Sequence, residues 1–73
     1  MRTITVFKTS VTTPKEVAKL RSSLNRLFEK DERWNFDLED RENILRVESA
    51  AHKANQVVNV LNTSGYQCIA LED

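Results

Sequence analysis

The sequence predicts an α+β sandwich in which two helices cover one face of a four-stranded antiparallel sheet. Three observations carry this. Short stretches of two-residue alternation occur at residues 3–9, 33–40, 44–49 and 66–73. Two longer stretches, 14–30 and 51–62, instead repeat their apolar residues at steps of three and four. The two kinds interleave as β-α-β-β-α-β, an order that closes one layer of helices over one sheet.

Residues 3–9, TITVFKT, are rich in β-branched side chains and read as a strand, with Ile4 and Val6 on one face and Thr5, Phe7 and Thr9 on the other. From Pro14 to about Lys30, Val17, Leu20, Leu24, Leu27 and Phe28 draw one apolar stripe on a helix. The start of that helix is written in TTPKE, residues 12–16. Thr13-x-x-Glu16 has capping-box spacing, in which the threonine oxygen accepts from the Glu16 amide and the carboxylate reaches back to the Thr13 amide. Pro14 fits the first helical position, where no amide is needed. Glu16 also stands at the positive end of the helix dipole. A threonine cap of this kind contributes about 1 kcal/mol.

In RWNFDLED, residues 33–40, Trp34, Phe36 and Leu38 share one face and Asn35, Asp37 and Glu39 the other. DREN, residues 40–43, is a polar turn of hairpin length, and ILRVES follows with Leu45 and Val47 opposite Ile44 and Arg46. The second helix, 51–62, has Ala54, Val57, Val58 and Leu61 as its stripe, and Gly65, the only glycine, supplies the stop. In the last strand Tyr66, Cys68 and Ala70 face opposite to Gln67, Ile69 and Leu71. Right-handed crossovers put both helices on one side, which is the ferredoxin-like βαββαβ arrangement.

Composition narrows the functional classes. The chain has 73 residues, enough for one domain, 1–73, with a thin core. Eleven basic residues balance eleven acidic ones, so no long-range field draws the chain to nucleic acid or anionic membranes. The third strand also lacks the stacking aromatics that an RNA-binding sheet of this topology needs. No apolar run is long enough for a membrane span or a signal peptide, and a cytoplasmic location is expected. The lone Cys68 allows no intramolecular disulfide. No glycine-rich phosphate loop, triad or paired histidines are present, so no enzyme and no cofactor is expected.

Three stretches, VFKTSV, WNFDLEDRENILRVES and VVNVLNTSGYQCIALED, together resemble the heavy-metal-associated domain, the fold of small copper chaperones and of metal-binding modules in heavy-metal transport ATPases. The resemblance spans nearly the whole chain. It implies a soft-metal loop of the form Met-x-Cys-x-x-Cys entering the first helix. Here those three positions fall on Val11, Thr13 and Glu16. Hydroxyl and carboxylate oxygens are hard donors and do not replace two thiolates for Cu(I). The expectation is therefore a degenerate member that has lost thiolate metal binding and acts as a protein-interaction module. The alternative is a copper-type binding or transport protein using a non-cysteine site at Thr13, Glu16 and Tyr66. The resemblance implies that Tyr66 stands near Thr13 and Glu16, because the loop before the last strand approaches the metal loop.

Other candidate residues have plain readings beside functional ones. Cys68, on the inner face, reads as a small buried hydrophobe. His52 stands alone at the start of the second helix and reads as a surface or capping residue. Lys15, Lys19, Arg21 and Arg26 make the first helix cationic. In the resembling family such residues dock an acidic partner, whereas a solvated helix face is the simpler account. The outer sheet face is the least ordinary feature. By alternation it carries Ile4, Val6, Ile44, Ile69 and Leu71, a candidate interface for a protein partner or a second copy.

Overall fold

Alternation in the first strand sets the two faces of the sheet, and the register of its neighbours extends them. A computed structural model describes residues 2–50 and 53–71. The elements are β1 (Arg2–Thr9), α1 (Pro14–Leu27), β2 (Arg33–Asp37), β3 (Ile44–Ala50), α2 (Ala54–Thr63) and β4 (Cys68–Leu71). The sheet is antiparallel in the order β2-β3-β1-β4, the ferredoxin-like arrangement. Phe7 stands opposite both Leu45 and Ala70, so those residues share the face that the helices cover. Val6 stands opposite Arg46 and Leu71, and Lys8 opposite Ile44 and Ile69, on the other face.

The core lies between sheet and helices. Phe7, Val11, Leu24, Leu45, Val57 and Leu61 are wholly buried there, and Cys68 is nearly so. Val17, Leu27, Phe28, Trp34 and Phe36 pack against it from the margin. Two buried hydroxyl groups, those of Thr9 and Ser49, lie among these residues. The Thr9 hydroxyl donates to the Asn43 carbonyl at 2.6 Å and accepts from the Val11 amide at 3.2 Å. It thereby ties the end of β1 to the β2–β3 turn and to the loop entering α1. Asn43 in that turn has φ 51°, a left-handed conformation that asparagine tolerates better than most side chains.

The elements differ from the sequence expectation mainly at their ends. α1 stops at Leu27 rather than near Lys30. Phe28 turns extended (φ −101°, ψ 146°), its amide still bonded to the Leu24 carbonyl, and its ring rests against the core. The stripe therefore continues one residue past the helix. β2 ends at Asp37, leaving Leu38 in the turn, and β4 begins at Cys68, so Tyr66 and Gln67 belong to the preceding loop. α2 begins at Ala54, and the expected start at residues 51–52, with His52, lies outside the described residues, as do residues 72–73 of the expected last strand.

Gly65 ends α2 with φ 92°. The Tyr66 amide donates back to the Leu61 carbonyl at 2.9 Å and the Gly65 amide to Asn62 at 3.0 Å, a complete Schellman closure. No atom lies within 4 Å of where a Cβ would stand, so only the backbone conformation resists substitution. Gly65→Ala is expected to lower stability by about 1–2 kcal/mol, read as a urea midpoint shift without a change of slope. Unaltered stability would show that the loop relaxes around a side chain.

Candidate functional site

The loop that enters α1 converges on one carboxylate. Thr13 caps the helix with β-region backbone, and its hydroxyl oxygen accepts from the Glu16 amide at 3.2 Å. Glu16 Oε1 in return accepts from the amides and hydroxyls of both Thr12 and Thr13, at 3.0–3.1 Å. The capping box read from the sequence is thus present and enlarged by Thr12. These bonds hold the Glu16 carboxyl below its ordinary range. The Thr12 amide is the largest cause, followed by the Thr12 hydroxyl, with Thr13 and Tyr66 adding to it against partial desolvation.

Tyr66 stands beside Glu16 at this corner. Desolvation is the main cause that raises its phenol above the ordinary value, and the charge and hydrogen bond of Glu16 add to it. The chain is pinned beside it by a reciprocal pair: the Ser10 amide donates to the Gln67 carbonyl at 3.2 Å, and the Gln67 amide to Ser10 Oγ at 2.8 Å. Gly65 makes the turn that delivers Tyr66 to this place.

The donor chemistry here does not fit a soft cation. The atoms at the corner are hydroxyl and carboxylate oxygens, and the carboxylate oxygen that faces the loop already accepts from four donors. Among the described residues no cluster of three or more His, Cys, Asp or Glu has metal-holding geometry. Cys68 is buried on the inner face, and burial pushes its thiol up to about 11. At neutral pH it is a protonated, enclosed group.

The remaining sequence candidates fall on two separate surfaces. Lys15, Lys19 and Arg26 are exposed on α1, and their spacing of four and seven residues lines them along the side away from the core stripe. Ile4, Ile69 and Leu71 are exposed on the open sheet face, at 64%, 59% and 38%, with Val6 half-buried beside them. Ile44 corrects the expectation. It lies on that face by register but is only 6% exposed, between Lys8 on one side and Asp37 on the other.

Sequence reasoning missed one polar cluster altogether, at the opposite end of the sandwich. Glu32 Oε1 accepts from the Glu29 amide at 2.8 Å and from the Lys53 ammonium, while Oε2 accepts from the Ala50 amide at 2.9 Å. The side chains of both charged residues are largely enclosed, and Lys53 Nζ also stands 5.9 Å from the centre of the Phe28 ring. The Glu29 amide first, then the Lys53 hydrogen bond and the Ala50 amide, hold the Glu32 carboxyl down to about 2. Glu32 sits in a charged run, KDER, that reads as an ordinary solvated loop. Nothing in the local pattern points to a partner at Lys53.

A groove of about 550 Å³ also runs between α1 and the edge strand β2, past Val17, Arg21, Trp34 and Phe36. The Trp34 indole N–H donates to Asn25 Oδ1 at 2.9 Å across it.

Fold and corner together define a small α+β domain of the ferredoxin-like class whose first helix is closed by an oxygen-only cap. The chain matches no family model, no curated protein and no solved structure. Among the described residues no helix is long and apolar enough to cross a membrane.

Proposed function

We propose that this chain is a non-enzymatic protein-interaction module, built on a heavy-metal-associated-like scaffold that has given up thiolate metal binding. The observation that carries the reading is Glu16. Its position corresponds to the second cysteine of the resembling family's loop, and one oxygen of its carboxylate, Oε1, accepts from four donors of the cap. A loop so built serves the helix and offers no thiolate to a soft cation. The open sheet face, with Ile4 and Ile69 well exposed, is the surface left for contact.

Titration of the pure protein with Cu(I) and with Zn(II), each against a competing chelator, tests this. No stoichiometric uptake is expected. Sub-micromolar, one-to-one binding that Glu16→Ala abolishes would overturn the reading.

The convergence of Tyr66 on Glu16 favours a second reading, in which the Thr13, Glu16 and Tyr66 corner takes a hard metal ion or a small ligand. In that reading Glu16 Oε2 is the ligand atom, because Oε1 already accepts from four donors of the cap. Chemical shifts at these residues that stay fixed across a panel of metals and metabolites would remove it.

A further inference from the structure

We propose that the free edge of β2 pairs antiparallel with β2 of a second copy of this chain, joining two four-stranded sheets into one. The inference goes beyond the module reading, because this seam lies at the sheet edge and not on the open face. β2 stands first in the order β2-β3-β1-β4, and among the described residues no strand pairs with its outer side. Hollows flank it on both faces. One of about 550 Å³ lies toward α1, against Val17, Arg21, Trp34 and Phe36. One of about 330 Å³ lies on the other face, against Arg33, Asn35 and Arg46. A strand bared in this way is a template for another strand.

The sequence of β2 says which strand fits. RWNFD, Arg33 to Asp37, is complementary to itself when read backwards. A two-fold axis at Asn35 sets Arg33 of each copy opposite Asp37 of the other, and Trp34 opposite Phe36. The backbone allows this whichever of its peptide groups point outward, because the axis of an antiparallel pair falls equally on a bonded or a non-bonded position. Parallel alignment in the same register instead sets like charge on like charge at both ends. A partner strand of one sign meets repulsion at one end. Within its own sheet Arg33 stands opposite Glu48 and Asp37 opposite Ile44. The arginine therefore already has a carboxylate beside it, and the aspartate gains the more from pairing.

The length of the seam decides how strong the pair is. Five residues form β2. At about 3.4 Å each they span roughly 17 Å and exchange about four to six main-chain hydrogen bonds. The Trp34 indole is bonded to Asn25, and Pro14 and Leu38 line the far end of the same hollow, so α1 runs antiparallel to β2 with Arg21 near the level of Asn35. Two copies thus bring Arg21 toward Arg21 beside the axis, a like charge that opposes the pairing. A short seam with that opposition is a weak, transient contact below standard interface size, with a Kd of roughly 0.1–1 mM.

The test is the molar mass of the intact chain by sedimentation equilibrium from about 10 µM to 1 mM, with amide chemical shifts followed over the same range. A rising mass is expected, with shifts confined to β2 and the flank of α1 beside it. Arg33→Asp and Asp37→Lys should each weaken the dimer about tenfold, because the two-fold axis makes each change count twice. In an equimolar mixture of the two variants every facing pair is again of opposite sign, so association should return to the parent level. A mere folding defect in either variant gives no such rescue. Asp37 Oδ1 also accepts from the Glu39 amide. Asp37→Asn keeps an acceptor there, and with Arg33→Gln it carries the test should a charge reversal unfold the chain. Each neutral variant should weaken the dimer about threefold. A constant monomer mass at the highest concentration overturns the pairing. So does a dimer that none of these variants weakens, or a mixture of folded variants that does not reassociate. The metal titration and the open sheet face are untouched by any of these results, so the module reading is judged separately.

Discussion

Glu32→Ala is expected to cost more stability than any other change of a polar side chain in this protein. The substitution strands the Lys53 ammonium in a largely enclosed site and leaves the Glu29 and Ala50 amides without their acceptor. An unpaired enclosed charge is worse than no charge, so removing both ends should hurt less than removing one. Thermal melting of Glu32→Ala, Lys53→Met and the double variant reads this. The expected order places the double variant above Glu32→Ala. A Glu32→Ala protein that melts within a degree or two of the parent would show that the cluster holds nothing. Acid gives a second view. The Glu32 carboxyl is held at about 2 against an ordinary 4.5, and Glu16 is lowered as well. Both groups favour the ionised form when folded, so their contribution is full above pH 4.5 and is lost as pH falls below it, that of Glu32 only as pH nears about 2. Alkali acts with the opposite sign. Cys68, pushed to about 11 from an ordinary 9.0, ionises first in the unfolded chain, so stability should decline again between those values.

Phe7→Ala should bring the chain close to unfolding at room temperature. Phe7 is wholly buried at the centre of the sheet, opposite Leu45 and Ala70, and belongs to the central cluster. Emptying such a site costs about 3–5 kcal/mol. A chain of 73 residues has a total stability of roughly 4–11 kcal/mol at ordinary values per residue. The loss is therefore comparable with the whole. Urea denaturation should show a collapsed or absent folded baseline for Phe7→Ala, while Ile4→Ala on the exposed face stays within about 0.5 kcal/mol of the parent. A Phe7→Ala protein with a normal midpoint would place the centre of the core elsewhere.

Much of the architecture was legible because local chemistry and tertiary structure agree. TITVFKT alternates, and of its inner set, Thr5, Phe7 and Thr9, the last two are buried and Thr5 is half-buried. TTPKE forms the capping box that its spacing demands, and Gly65 is left-handed where α2 ends. Tyr66 stands beside Glu16, a proximity that no local pattern shows. The misreadings share a cause: periodicity records which residues are apolar, not how the backbone carries them. Phe28 continues the stripe of α1 from an extended conformation, so the helix looked longer than it is. Ile44 kept its face, but its enclosure depends on flanking side chains from two other strands. Glu32 and Lys53 are separated by 21 residues. Their pairing follows from how α1 ends and β3 runs out, which becomes visible only when the sandwich is assembled.

The bond between Trp34 and Asn25 gives the molecule a built-in optical gauge. Trp34 is the only tryptophan, half-buried, with its ring edge-on to Phe36 at 5.9 Å. Its indole is tethered to α1 while its backbone belongs to the edge strand, so its fluorescence follows the seam between these two elements. Loosening of the helix from the sheet edge would hydrate the indole and shift its emission to longer wavelength. Far-ultraviolet dichroism, which weighs the whole backbone, would still read folded. The two signals together separate a partial opening of the sandwich from its complete loss.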